Sequence, residues 1–186
     1  MQKTFLILLS IITLLGCNNE GDQKESETTT KLTSNALAEE VKNETLRTWK
    51  AYKQYAWGHD VLTPLSKSFR DWYEKPLYIS PIDAYSTLHL MGFDEEAEKI
   101  ENYVVDSLDF NIDVDAKIFE VNIRILGGLL AMYELSENPE VLDKARDFAD
   151  RMLPAFDTET GIPTFWVNLK TGEAKGDTVN VAEAGS

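Results

Sequence analysis

Glu120 and Arg124 stand four residues apart in residues 119–129, FEVNIRILGGL, where most other side chains are apolar. On a helix that spacing puts them on one face. A carboxyl there can give or take a proton, and a guanidinium can hold oxygens in a rigid fork. The same two residues can equally form a plain i,i+4 ion pair that only supports the helix. Gly127 and Gly128 follow at once, although each costs a helix about 1 kcal/mol. The expected reason is a neighbouring helix that approaches closely over both. Two more carboxylates stand at predicted helix starts, Asp83 after Ser80-Pro81 and Glu183 in the closing AEAGS. Each is either a functional acid or a first-turn acid favoured by the helix dipole. His59 and Asp60 lie in a loop, where capping competes with ligand contact, and His89 reads as structural. Trp57, Trp72, Phe165 and Trp166 can stack on a ligand, but aromatic residues near loops more often belong to a core.

The elements that must position these residues read as helices. Apolar residues recur at helical spacing over 36–57, closed by Gly58. Residues 60–73, DVLTPLSKSFRDWY, are broken by Pro64 and read as a loop. A helix is expected from Ser80 to about Met91, with Pro81 at its first position and Gly92 at its end. Three more are expected over 94–108, 117–135 and 138–153. Their short connections make neighbours antiparallel. Residues 160–174, with Gly161, Pro163 and a Thr171-Gly172 turn, read as one small β-hairpin. The final VAEAGS reads as the start of another helix, so the sequence predicts the N-terminal part of something larger, with apolar faces of at least two helices left exposed.

The chain has 186 residues, 43% hydrophobic, with a net charge of −14. That balance excludes nucleic acid as a partner, because no basic patch can neutralise phosphates. Lys3 precedes an apolar run over 5–15 that is too short to span a bilayer, and LLGC at 14–17 follows directly. This resembles a bacterial lipobox, with residues 1–16 as a signal peptide. Cys17, the only cysteine, is the residue to be lipidated. Multiple acyl chains give stable anchoring, so an exported protein held to a bacterial membrane, periplasmic or at the cell surface, is expected. Residues 17–34 are polar and low in complexity and read as a flexible tether; residues 35–186 are the folded part.

Several separated stretches together carry a family resemblance. They are YAWGHDVLTPLS (55–66), PIDAYSTLHLMG (81–92), FEVNIRILGGLLAMYEL (119–135), ADRMLPAFDTETGIPTFWVNLKTG (149–172) and AEAGS (182–186). In order and spacing they resemble the class I α-mannosidases, glycoside hydrolase family 47. The resemblance implies an all-α fold, an (α/α)7 barrel of paired antiparallel helices, of which this chain is the N-terminal part. It implies a Ca2+-dependent mannosyl-oligosaccharide 1,2-α-mannosidase that works with inversion on mannose-containing oligosaccharides. Inversion needs two carboxyl groups about 6.5–9.5 Å apart, one as acid and one as base. By resemblance Glu120 is the general acid, with apolar Phe119 and Ile123 beside it to favour a protonated carboxyl. Arg124, Asp83 and Glu183 are implied as substrate-binding residues.

The carry-over has limits. Ser86 stands where the family usually has Asp. The family's base and its Ca2+-binding threonine correspond to positions beyond Ser186, so no metal ligand is assigned in this chain and the fragment alone is expected to be inactive. The segment NIDVDAK at 111–117 has acids but lacks the glycine and closing glutamate of a calcium loop. Two other readings remain open: a non-catalytic glycan-binding lipoprotein derived from the same fold, and a truncated product without function.

Overall fold

The computed structural model describes residues 33–178. The leader, Cys17, nearly all of the expected tether and Glu183 lie outside the described residues.

Helix α1 (Ser34–Ala56) opens on Thr33, whose Oγ1 accepts the Ala36 N–H at 3.3 Å. Its second half buries Trp49, Tyr52 and Ala56. Helices α2 (Ile79–Leu90) and α3 (Asp94–Ser107) are joined by a tight turn, where Gly92 takes φ +79°. Such a left-handed turn residue costs glycine least. Acids Asp94, Glu95 and Glu96 fill the first turn of α3, the end where the dipole favours negative charge. Helix α6 (Pro139–Met152) starts on Asn138, whose Oδ1 accepts the Glu140 N–H at 3.0 Å, with Pro139 in the first turn.

The helices form two layers. α2 packs on α3 and on α5 (Gly127–Ser136), α5 packs on α6, and α3 meets α6. α1 joins α3, because Trp49 and Lys53 both reach Glu96. So α1, α3 and α6 make one layer, and α2 and α5 the other, as paired antiparallel helices. Between them lies one core that includes Ile82, Leu88, Ile100, Val104, Ile125, Leu129, Met132 and Phe148. Leu37 and Val41 of α1, Leu90 of α2 and Leu130 of α5 stay exposed, as the sequence leads one to expect.

Four expectations need correction. The loop over 60–73 contains a hairpin, β1 (Val61–Thr63) with β2 (Ser68–Arg70), antiparallel with Leu62 opposite Phe69. Its strands are too short for alternation to register, and Pro64 lies in the turn rather than in a strand. The hairpin expected over 160–174 is part of a three-stranded antiparallel sheet, in the order β3 (Asp115–Lys117), β4 (Thr164–Asn168), β5 (Ala174–Thr178). β3 is contributed from far away in sequence, and only tertiary pairing defines it. The long helix over 117–135 is three pieces: α4 (Ile118–Val121), a π-helical segment (Asn122–Leu126) and α5. Finally, α2 begins before Ser80, so Pro81 is not its first residue. The cause is Asp60, fully buried, whose Oδ1 accepts the N–H groups of Leu77 at 2.8 Å and Ile79 at 3.2 Å. That carboxylate caps the helix start in place of a local side chain; the residue in the cap position, Tyr78, has φ 63° and no side-chain bond of that kind.

Candidate active site

Glu120 sits in the single α-helical turn that leaves β3, and Arg124 lies in the middle of the π segment that follows. Val121 and Ile125 are fully buried and anchor the opposite face. Wide π turns are rare and occur mostly as short insertions, frequently at functional sites. Here the widened turn keeps the two polar side chains together, and Arg124 Nε donates to Glu120 Oε2 at 2.9 Å.

Asp83 comes from α2. A Cβ built on Gly128 would stand 2.4 Å from Ile82 Cγ2 and 3.3 Å from the Ile82 carbonyl oxygen. Only glycine therefore allows α2 and α5 this close, and Asp83, next to Ile82, comes within reach of Arg124. Arg124 Nη1 donates to Asp83 Oδ2 at 2.8 Å. Gly127 does not share this task, against expectation. Its Cβ would meet only the Asn122 carbonyl oxygen, at an ordinary 3.6 Å.

One guanidinium thus bridges two carboxylates. The Glu120 bond, then the Asp83 bond, raise the Arg124 pKa further, so the cation is permanent. Burial pushes the Asp83 carboxyl above its ordinary range; the bond from Arg124 opposes this and the charge of Glu120 adds to it. The cluster is open enough for a ligand, with the side chains of Arg124 and Asp83 about one-third exposed. Arg124 Cζ lies 5.3 Å from the Trp72 ring centroid. Phe119 and Phe165 stand at the mouth of α4, with Lys117 Nζ 5.6 Å and 4.9 Å from their centroids. A fixed cation, two acids and the Trp72 ring at one open surface can bind a polyol and handle its protons.

The structure therefore brings together Glu120, Arg124 and Asp83. Trp72 packs against the core, as aromatic residues near loops more often do, and its ring also meets Arg124; its placement depends on Asp60, a contact invisible in sequence. Trp57 is core, edge-on to Trp49, Tyr78 and Tyr103. His59 is structural, with Nδ1 3.0 Å from Asp71 Oδ2 and its ring stacked on Phe69. His89 stacks on Tyr85 within α2. In the 111–117 segment, Asp113 and Asp115 accept the Asn168 amide at 2.9 Å and 3.0 Å, and Asp115 also pairs with Lys175.

Residues 44–186 match the model of glycosyl hydrolase family 47. The chain belongs to glycosyl hydrolase family 47. It is 44% identical over 136 residues to the mannosyl-oligosaccharide 1,2-alpha-mannosidase MNS1 of Arabidopsis thaliana, covering 73% of this chain and 24% of that protein. It is 46% identical over 129 residues to the endoplasmic reticulum mannosyl-oligosaccharide 1,2-alpha-mannosidase of Homo sapiens, covering 69% and 18%. Among solved structures, the alpha-1,2-mannosidase from Trichoderma reesei superposes with a TM-score of 0.72 at 32% identity, over 78% of this chain and 33% of that one. The two helical layers are thus those of the family 47 (α/α)7 barrel. The chain spans about a quarter or less of the length of these two curated relatives. The family 47 match includes Asp83, Glu120, Arg124 and Glu183.

Proposed function

We propose that the protein functions as an inverting α-1,2-mannosidase on mannose-containing oligosaccharides, with Glu120 as the general acid and Arg124 and Asp83 as sugar-binding residues. The observation that carries this reading is the Arg124 bridge between Glu120 and Asp83 at an open surface, in a family 47 chain. Two of the guanidinium's N–H bonds hold the acids in place. Its remaining donors suit the vicinal hydroxyls of a mannose ring, a pair of oxygens that a planar fork matches. Glu120, fixed through one carboxylate oxygen, has a second with which to reach the glycosidic oxygen and deliver a proton. Glu183 belongs to the same reading as a further sugar contact.

The resemblance also brings calcium. The described residues do not fit it. Ca2+ takes about 6–8 oxygen ligands, whereas among the described residues no group of three or more His, Cys, Asp or Glu gathers to hold an ion. Asp115 is committed to Lys175 and Asn168, and Asp83 and Glu120 to Arg124. No step of the chemistry is routed through the metal.

The reading is tested on the full-length protein with an α-1,2-mannobioside. Glu120→Gln keeps shape and hydrogen bonding but has no proton to donate. It should lower kcat by about 10²–10⁴-fold with sugar binding largely retained. A mannoside with an acidic leaving group should recover part of the rate. Wild-type turnover by Glu120→Gln would return the Glu120–Arg124 pair to a purely structural role. A glycan-binding protein without catalysis would bind the mannobioside and release no mannose.

We also propose that Cys17 is acylated and holds the protein at a bacterial membrane. The sequence LLGC at 14–17, directly after the apolar run over 5–15, supports this. Cys17→Ser should move the protein to the soluble fraction; unchanged fractionation contradicts the anchor.

A further inference from the structure

We propose that Trp72 is a positioning residue for Arg124, whose guanidinium it holds from beneath so that Nε and Nη1 reach Glu120 and Asp83 together. This deepens the glycosidase reading and rests on it for the sugar, though not for the geometry.

Three observations carry it. The guanidinium carbon lies 5.3 Å from the ring centroid, within the range of a cation–π contact. Arg124 has a long, flexible side chain on a π segment whose backbone alone does not fix its direction, so a flat face below narrows its choices. The indole N–H is buried and has no hydrogen-bond partner among the described residues. Tryptophan N–H groups usually find one when buried. Here the ring packs against the hydrophobic core instead, and its face meets the Arg124 guanidinium.

What holds it is the strap Asp71–Trp72–Tyr73. The Trp72 backbone N–H donates to Oδ2 of the fully buried Asp60 at 2.9 Å. The Asp60 N–H donates to Asp71 Oδ1 at 3.0 Å. Tyr73 Oη accepts the N–H of Lys117 at 3.1 Å, and Lys117 immediately precedes the helix that bears Glu120. The strap thus places an aromatic face under Arg124 and is pinned to the start of the catalytic helix at the same time. Asp60 serves this strap with one oxygen and the start of α2, which bears Asp83, with the other. One buried carboxylate thereby sets the relation of the aromatic face to both acids.

The test reads Arg124 directly. The protein is labelled with 15N-arginine, and the Arg124 Nε–Hε signal is assigned by its loss in Arg124→Lys. Trp72→Leu removes the ring. The signal should lose its aromatic ring-current shift, and its exchange with water should quicken about tenfold as the guanidinium leaves its pose. Trp72→Phe keeps an aromatic face, though a smaller one, and removes the indole N–H, so part of the shift and protection should return. In parallel, Trp72→Leu should raise the Kd for α-1,2-mannobiose about tenfold and Trp72→Phe clearly less. Should Trp72→Leu not fold, fluorinated tryptophans placed at position 72 keep the shape and weaken the ring's negative face stepwise; Arg124 exchange should then rise with each fluorine. The proposal is overturned if exchange and Kd ignore fluorination or the loss of the ring, or if Trp72→Phe is as damaging as Trp72→Leu. If the wild-type protein binds no mannobiose, the glycosidase reading fails, and the Arg124 signal still decides the positioning role.

Discussion

Two charge clusters in this protein use the same groups in opposite proportion. At the junction of α1 and α3, the single acid Glu96 accepts from Trp49 Nε1 at 2.8 Å, Lys53 Nζ at 2.7 Å and Lys99 Nζ at 3.1 Å. Burial alone would raise its pKa, but these donors outweigh it and hold the carboxyl down at about 2. Beside the π segment, the single cation Arg124 serves two acids, and there burial with the neighbouring carboxylate pushes Asp83 upward. Donor excess makes a carboxylate inert over all ordinary pH. At Asp83 burial outweighs the single bond from Arg124, with the Glu120 charge adding a little, so this carboxyl holds a proton more readily than a free one. The first cluster ties α1 to α3; the second stands open between α2 and the π segment.

The largest expected effect comes from Gly128, which sets the distance on which the second cluster depends. In Gly128→Ala the new methyl meets Ile82 Cγ2, part of a stiff β-branched side chain that is itself buried, with the Ile82 carbonyl close behind. Overpacking of this kind costs about 2–3 kcal/mol. Urea unfolding should show that loss, and the Arg124–Asp83 bond should lengthen while the Glu96 cluster stays intact. If Gly128→Ala left both stability and the Arg124–Asp83 pair unchanged, close approach of α2 and α5 would not be what places Asp83.

The Glu96 cluster gives the next effect, through pH. Its carboxyl has a folded pKa of about 2 against an ordinary 4.5. A depressed acid contributes stability that is fully present above its unfolded pKa and lost as pH falls through the folded one. Glu96→Gln should therefore cost about 1–2 kcal/mol at pH 7 and progressively less as pH drops from 4.5 toward 2. Thermal melts of both proteins across that window check it. A constant difference at all pH values would mean that the charge of Glu96 is not what its donors stabilise.

The Glu120–Arg124 half of this contrast was legible in the sequence; the Glu96 half was not, because its donors Trp49 and Lys53 come from a helix more than 40 residues away. The FEVNIR spacing places Glu120 and Arg124 on one face because i,i+4 neighbours meet on any helix, and the bond at 2.9 Å follows. The paired helices were visible because Gly92, Asn138 and Pro139 punctuate them locally. The start of α2 and the strand β3 were not, since each is fixed by a distant partner: Asp60 reaches 19 residues to Ile79, and β3 pairs with β4 across about 50. Trp72, weighed as core, does pack against it; its contact with Arg124 was the part not legible. The glycine pair divides along this line too. Gly127 and Gly128 look alike in sequence, but Gly127→Ala adds its methyl at ordinary contact distance and at φ −60°. It should stabilise the helix by about 0.5–1 kcal/mol, read as a small rise in Tm. A fall in Tm instead would show that the preceding π segment relies on glycine there.

The smallest effect is the one that tests acid excess itself. Asp83→Asn leaves one cation facing one acid and so converts the second cluster toward the balance of a plain ion pair. The Asp83 carboxyl lies above its ordinary 3.8. An acid with a raised folded pKa contributes stability that is complete below its unfolded pKa and lost as pH rises through the folded one, the opposite slope to Glu96. Relative to Asp83→Asn, the wild-type protein should thus lose a little stability over that interval. Because the side chain is about one-third exposed and screened by water, the difference should stay under about 0.5 kcal/mol. It is best read as a change of slope between Asp83→Asn and wild type, with Glu96→Gln as the control of opposite sign. Parallel pH profiles for Asp83→Asn and wild type would mean that the extra acid holds no proton worth counting. The chemical difference between the two clusters would then rest on the exposure of Arg124 and its aromatic neighbour alone.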